Sequence, residues 1–157
     1  MALKGDRNIL ETDVTKVCNS VVNAGAVLVL ATGAGLVASG AGLYTRAQAE
    51  LVTNPSGRVP VGITLSSFVN IDQTRQKRNF QKMESVIGEP ANLLKKGMVV
   101  TDQVVPGVTI TGGDTAYCGP TGLLTNVNIS GYPKVGQFDS AKDQDGFAKV
   151  NVNLPIV

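Results

Sequence analysis

The carboxyl-terminal half of the chain is a succession of short apolar runs separated by turn residues, and this pattern constrains the fold more than any other feature. The runs begin at Gly97 and read GMVVT, GVTI, TAYC, GLLTNVNI, KVGQFDS and FAKVNVNL. Short runs at such close spacing are typical of antiparallel sandwiches and barrels. The 18 glycines agree with many tight turns. We therefore predict a mainly β protein, built as an antiparallel β-barrel or a jelly-roll-like β-sandwich.

The domain organisation follows from the length and from the first residues. A chain of 157 residues is long enough for one domain with a buried core. Residues 1–16 mix charged and apolar side chains without a sustained strand or helix period, so they are predicted to form an extended N-terminal arm. Residues 17–157 are predicted to be a single β-rich domain with few short helices. The most favourable helical positions lie near Ala47–Val52 and from Glu89 to Lys96, where Pro90 suits a first helical turn.

The stretch from Val17 to Thr45 contains no charged residue. It is long enough for a transmembrane helix, which needs about 20 apolar residues. Glycine and polar residues within it lower its hydrophobicity too far for stable insertion. We therefore expect no membrane partner, and we predict two short buried strands in this region, Ala26–Ala31 and Gly35–Ser39.

A dinucleotide-binding site is the alternative interpretation of the same stretch. A strand-like run is followed by Gly33, Gly35 and Ala38, which match the GxGxxG/A pattern. The pattern binds pyrophosphate only where a helix begins at Gly35. Glycines at positions 40 and 42 would each destabilise that helix by about 1 kcal/mol relative to alanine. A small dinucleotide-binding enzyme therefore stays an alternative function rather than the leading one.

Residue types that usually carry catalysis are scarce in this chain. It contains no histidine, which removes the Ser-His-Asp and Cys-His nucleophile systems, the HExxH zinc sites and the usual general base near neutral pH. Cys18 and Cys118 lack the partners of a zinc site and are interpreted as small buried apolar residues, while a disulfide between them stays open. We expect that the protein is not an enzyme and that it binds no metal and no cofactor.

Four residues near the end of the chain, Asp143-Gln144-Asp145-Gly146, suit a calcium loop, a pair of catalytic carboxylates or a hairpin turn. When Gly146 is aligned with the glycine of an EF-hand loop, Ala141 and Val152 occupy positions that require acids. An exposed turn does not separate the pKa values of two carboxylates as an acid–base pair requires. Asp-Gly between alternating strands is typical of a tight hairpin in which both central residues have positive φ. We therefore predict a turn, followed by a strand whose core-facing residues are Ala148, Val150, Val152 and Leu154.

The charges of the chain are close to balanced, with a net charge of +2. The only charge-rich segment is TRQKRNFQKMESV, which contains a single aromatic residue, Phe80. Proteins that bind single-stranded nucleic acid usually interleave several stacking aromatic residues with the basic ones. We therefore expect no direct contact with nucleic acid, and we interpret this segment as a solvated extended arm or a polar interface strip.

A series of motifs runs through residues 75–155. The segments are RNFQKMESVIGEPANLLKKGMVVTD and GDTAYCGPTGLLTNVNISGYPKVGQFDSAKDQDGFAKVNVNLP. Their motifs are KG-x-VVT, GD-x-AY, G-L-x-T, G-x-P-x-VG-x-F and D-x-DG-x-AKV, in that order. In this order they resemble the head decoration, or cement, proteins of tailed double-stranded DNA phages.

The resemblance implies a β-rich structural protein that binds the outside of a capsid shell and has no catalytic residues. Its partner would be the major capsid protein, and it would form a homo-oligomer, often a trimer. The implied location is the exterior of the virion capsid, after synthesis in the host cytoplasm. Another virion component, such as a head-fibre base or a tail-associated β protein, is the alternative.

Candidate contacts with the capsid or with other subunits lie in two segments. The N-terminal arm offers Lys4 and Arg7 for acidic patches, and Ile9 and Leu10 as apolar anchors. The arm is interpreted either as a frayed terminus or as a segment that orders on docking. The candidates in the charge-rich segment are Arg75, Arg78, Phe80 and Lys82.

Overall fold

The computed structural model describes residues 3–31, 37–38, 45–70, 83–129 and 131–155. Within these ranges nearly all regular structure is β, and the one helical element is a 3-10 turn at Pro120–Gly122. The prediction of a mainly β fold is therefore confirmed. The strands, in chain order, are β1 (Asn8–Asp13), β2 (Val17–Cys18), β3 (Val27–Leu30), β4 (Val37–Ala38), β5 (Thr45–Arg46), β6 (Gln48–Glu50), β7 (Pro60–Thr64), β8 (Ser67–Val69), β9 (Glu84–Val86), β10 (Leu93–Thr101), β11 (Thr115–Cys118), β12 (Leu124–Thr125), β13 (Lys134–Phe138) and β14 (Ala148–Asn153).

Ten of these strands form one sheet. Nine of them follow the order β12-β11-β13-β14-β10-β7-β3-β6-β2, and β1 adds to β10. The pairs are antiparallel except β2 with β6, so the sheet is mixed. Among the described strands the two ends of this path, β12 and β2, do not pair with each other, so the sheet does not close into a barrel. Two small sheets stand apart, β4 with β5 and β8 with β9.

The long strand β10 organises the sheet because both of its edges are used. Met98 pairs with Asn151 of β14 and with Asn8 of β1, so β1 lies along the edge opposite β14. Leu94 pairs with Ile63 of β7 and with Thr12 of β1, so β7 shares the β14 edge. The nine residues of β10 therefore position each of the strands that pair with it, β1, β7 and β14.

The core lies on both faces of the central strands. Val27 and Val29 of β3 belong to the larger apolar cluster, together with Phe138 and Val150, whereas Leu28 belongs to a second cluster around Phe68. Successive residues of a strand point to opposite faces of the sheet, so β3 contributes to both clusters. A strand that is buried on both faces has no exposed position for a charged side chain, which accounts for the uncharged composition of β3. The buried strand predicted at Ala26–Ala31 is confirmed as β3.

Both helical predictions are wrong. The segment near Ala47–Val52 contains β6, whose residues pair with β2 and with β3. The segment from Glu89 to Lys96 leads into β10, which begins at Leu93. Strand pairing on two edges outweighs a local helix preference of a few tenths of a kcal/mol per residue, on the order of the known propensity differences.

The turn before β14 forms at the predicted residues but with different geometry. Gly146 has a φ of +85°, while Asp145 is not among the residues with positive φ. The Gly146 N–H donates to the Asp143 carbonyl oxygen at 3.0 Å. Asp143 Oδ1 accepts the N–H groups of Asp145 at 3.0 Å and Phe147 at 2.8 Å. The prediction of a tight hairpin with two positive φ angles is therefore wrong. The Asp143 carboxylate stabilises a wider turn, in which Gly146 has positive φ and Asp145 does not.

The alternation predicted for the last strand is confirmed. Ala148, Val150 and Val152 have no exposed surface and Leu154 is 5% exposed. Asn151 and Asn153 between them are exposed. No helix in the described ranges is long and apolar enough to span a membrane.

Candidate functional site

The N-terminal arm lies against the sheet over its described length. Leu3 is 8% exposed and forms a bridge with Thr101. The Lys4 N–H donates to the Val100 carbonyl oxygen at 2.9 Å, and β1 then pairs along β10 as far as Leu93. Residues 3–13 are thus held by main-chain contacts to one strand and do not extend freely from the domain.

Gly97 allows this close approach. A Cβ atom at Gly97 would overlap the carbonyl oxygen of Asn8, and the φ of Gly97 is +139°. Only a residue without a side chain tolerates both conditions. The glycine of the KG-x-VVT motif therefore allows β1 to pair closely with β10.

Lys4 fixes the beginning of the arm to the turn before β14. Its Nζ lies 2.5 Å from Asp143 Oδ2 and 3.8 Å from Asp145 Oδ2. The same ammonium lies 4.4 Å from the centre of the Phe147 ring, which is a cation–π distance. The hydrogen bond with Asp143 raises the pKa of Lys4, and the hydrogen bond from Lys4 lowers the pKa of Asp143. Lys4, one of the two cations of the arm predicted to contact a partner, therefore forms an ion pair within the chain.

The far end of the arm is held by a buried group of charges. Lys16 Nζ lies 2.8 Å and Lys95 Nζ 3.7 Å from Asp13 Oδ2, and all three side chains are at most 9% exposed. Burial raises the pKa of Asp13, but hydrogen bonds from Lys16 and Thr15 outweigh it and lower the pKa to about 2. This group could not be predicted from the sequence, because nothing in the linear pattern shows that Lys95 lies beside Asp13.

The two apolar residues predicted as anchors lie on the exposed side of the arm. Ile9 is 43% and Leu10 65% exposed, and Val14 just beyond β1 is 56% exposed. The register between β1 and β10 shifts on either side of Glu11, and Leu10 has no partner in it. We call this surface, formed by Ile9, Leu10 and Val14, the arm edge. It combines apolar side chains with the edge of a sheet.

Arg7 lies beside the arm edge and contacts Met83. Its guanidinium nitrogens are 3.9 and 4.0 Å from Met83 Sδ, and Met83 is 48% exposed. Met83 belongs to the charge-rich segment and directly follows Lys82 in the chain. The structure therefore brings Arg7 to the described part of that segment, which begins at Met83.

The remaining predicted positions lie mainly outside the described residues. These are Arg75, Arg78, Phe80 and Lys82 in the charge-rich segment, and Gly33 and Gly35 in the dinucleotide pattern. Ala38 belongs to β4, which is extended and pairs with β5. A dinucleotide site would instead need a helix from Gly35 through this residue.

A second group of exposed apolar residues was not predicted from the sequence. Val59 is 42%, Val127 48% and Ile129 50% exposed. The Gly57 N–H donates to the Gly131 carbonyl oxygen at 2.9 Å, which ties the turn before Val59 to the loop that contains the other two. Its exposure is similar to that of Ile9, so this group is a matched comparison for the arm edge.

The residues in the described ranges contain no group of three or more Cys, Asp or Glu side chains placed to hold a metal ion. No protein-family model and no curated protein matches this sequence. Ile9 and Leu10 of the arm edge are exposed apolar side chains on a strand whose main chain is paired with β10.

Proposed function

We propose that the protein is a structural virion protein that binds the outer surface of a phage capsid and stabilises it. The resemblance of residues 75–155 to head decoration proteins supports this function. Its motifs lie on β10, β11, β12, β13 and β14, which are consecutive in the large sheet in the order β12-β11-β13-β14-β10. The partner is the major capsid protein, and the protein acts as a homo-oligomer, as the resemblance implies.

The observation that carries the proposal is the exposure of Ile9 and Leu10 on an anchored strand. Both side chains lie in water although the arm's main chain is fixed to β10. A preordered strand has little conformational entropy left to lose on binding, so its apolar side chains contribute more fully to affinity. Exposed apolar side chains on an ordered strand are suited to the centre of a protein contact.

The experiment measures how many copies of the protein bind to shells assembled from the major capsid protein of the phage that encodes it. The test variant is Ile9→Asn with Leu10→Asn, and the matched control is Val127→Asn with Ile129→Asn. We expect the control to reach wild-type occupancy and the arm variant to need at least tenfold more protein for half occupancy. Point variants are preferable to removal of residues 1–12, because removal would take away a strand of the sheet and the buried Leu3 side chain.

Two results would contradict the proposal. The first is wild-type protein that does not bind shells at any concentration, and binding to isolated tails instead would favour another virion component. The second is a rise in melting temperature with saturating NAD or FAD, because a ligand that binds the folded state stabilises it. Wild-type occupancy by the arm variant would leave capsid binding standing and move the contact surface to the β body.

A further inference from the structure

β1 pairs with β10 along one edge, and no strand in the described ranges pairs with its outer edge. An open edge presents a row of unpaired backbone N–H and C=O groups to which another strand can add. We propose that β1 pairs with β1 of a second copy of this chain, antiparallel and about a two-fold axis at Ile9.

The charges next to Ile9 select a second copy as the partner. Arg7 and Glu11 lie two residues before and two residues after Ile9. In antiparallel self-pairing centred on Ile9, Arg7 therefore faces Glu11 of the second copy, and this contact occurs twice. Opposite charges directly across two strands stabilise the pair, and like charges destabilise it. The pattern is self-complementary, as an interface about a two-fold axis requires.

Both charges are available for this contact. Among the residues that the structure describes, neither Arg7 nor Glu11 forms an ion pair. Glu11 lies opposite Lys96 in the register, but their charged groups are not within ion-pair distance. Arg7 contacts the uncharged sulfur of Met83.

The same register brings the exposed apolar side chains of the two copies together. Ile9 lies beside Ile9 of the second copy, and Leu10 lies beside Asn8, so the two arm edges form one continuous surface on the paired strands. A register centred on Leu10 would instead place Ile9 against Glu11, and Arg7 against Asp13, whose carboxylate is buried and already paired with Lys16 and Lys95. The charge pattern and the apolar pattern therefore favour the same register.

This pairing concerns the protein alone and does not depend on capsid binding. It joins copies two by two about a two-fold axis. The open edge accepts one strand at a time.

The test is a charge exchange measured by light scattering across a range of protein concentrations. The variants are Arg7→Glu, Glu11→Arg and the double variant Arg7→Glu with Glu11→Arg. The control is Lys134→Glu, an exposed charge reversal on β13. We expect wild type, control and double variant to have twice the mass of either single variant at the same concentration. Equal masses for wild type and the single variants, or a double variant that stays at the lower mass, would overturn the proposal.

A cysteine at the proposed axis tests the register. Two directly opposed residues in antiparallel strands have Cα atoms about 4.5 to 5.5 Å apart, which is within the range of a disulfide. The native Cys18 and Cys118 are buried and should not compete. We expect Ile9→Cys to form covalent dimers under mild oxidation and Val59→Cys, at a similarly exposed site, to form few. Equal cross-linking by the two variants would show random collision and contradict the pairing.

The capsid proposal and the pairing can fail separately. The double charge exchange restores complementarity between two identical arms, so its mass tests the pairing without altering Ile9 or Leu10. Equal masses for wild type and the single variants with normal shell binding would remove only the pairing, whereas recovered mass in the double variant without shell binding by the wild type would remove only the capsid proposal.

Discussion

Lys4 Nζ lies 2.5 Å from Asp143 Oδ2, and this ion pair ties the beginning of the N-terminal arm to the turn before β14. Asp143 thereby has two roles, since its other carboxylate oxygen accepts the N–H groups of Asp145 and Phe147 within the turn. The arm and the turn are consequently coupled across the end of β10. Substitutions in the turn should therefore change the hydrogen exchange of amides in the arm.

Two substitutions of Asp143 separate these roles. Asparagine keeps an oxygen that accepts the turn hydrogen bonds but loses the charge, whereas alanine loses both. We expect Asp143→Asn to keep wild-type stability to urea and to speed hydrogen exchange of the amides near Lys4. Asp143→Ala should speed the same hydrogen exchange and should also lower the stability to urea.

Salt and pH provide the control for that pair. An exposed ion pair is screened by salt, so about 1 M salt should speed exchange near Lys4 in the wild type and have a smaller effect in Asp143→Asn, which keeps only the 3.8 Å contact of Lys4 with Asp145. The pKa of Asp143 is lowered, so the pair is complete above the ordinary carboxyl pKa and is lost as pH falls through the lowered value. Identical salt responses in the two proteins would mean that the ion pair does not hold the arm.

Gly97→Ala should push β1 away from β10. The added Cβ would overlap the Asn8 carbonyl oxygen, which belongs to the main chain and cannot rotate aside. We expect a loss of about 1 to 3 kcal/mol in the free energy of unfolding, as for other overpacked sites, with faster hydrogen exchange throughout β1. Gly107→Ala is the matched control, because Gly107 also has positive φ but has no atom within 4 Å of the added Cβ. Equal losses in both variants would assign the effect to backbone strain alone.

Asp13→Ala should be among the most damaging substitutions of a charged residue. It leaves Lys16 and Lys95 buried without their carboxylate, and breaking a buried ion pair from one side costs about 3 to 5 kcal/mol. Urea denaturation at neutral pH measures the loss. Asp6→Ala, at an exposed position of the same arm, should change stability by less than about 0.5 kcal/mol.

The pH dependence gives an independent measure of Asp13. Its pKa in the folded protein is about 2, below its ordinary value of 3.8. The contribution of Asp13 to stability is therefore complete above about pH 4 and is lost as pH falls towards 2. We expect the difference in unfolding free energy between wild type and Asp13→Ala to shrink over this window. A difference that stays constant from pH 5 to about pH 2 would contradict the assigned role.

The two cysteines should be unreactive in the folded protein. Both are free and buried, and burial raises the pKa of Cys18 and raises that of Cys118 to about 12. The thiolate is the reactive form, so an aromatic disulfide reagent should modify neither thiol until urea unfolds the chain. Rapid modification of either thiol in the native protein would show that its side of the core opens easily.

The local pattern of the sequence determined the strands of the carboxyl-terminal half. Alternation of apolar and polar residues predicted the buried face of β14, and a glycine at position 146 marked the turn before it, since both signals act between near neighbours. The uncharged run predicted β3 because a strand between two apolar clusters is buried on both faces.

Tertiary structure decided where these strands pair and what holds the arm. The segment that leads into β10 has residues suited to a helix, yet β1, β7 and β14 bind its edges and make it the longest strand described. The contacts of Lys4 with Asp143 and of Asp13 with Lys95 join residues far apart in the chain. Local propensity cannot encode such partners, because strand pairing and charge burial depend on hydrogen bonds and desolvation that exist only once the sheet has assembled.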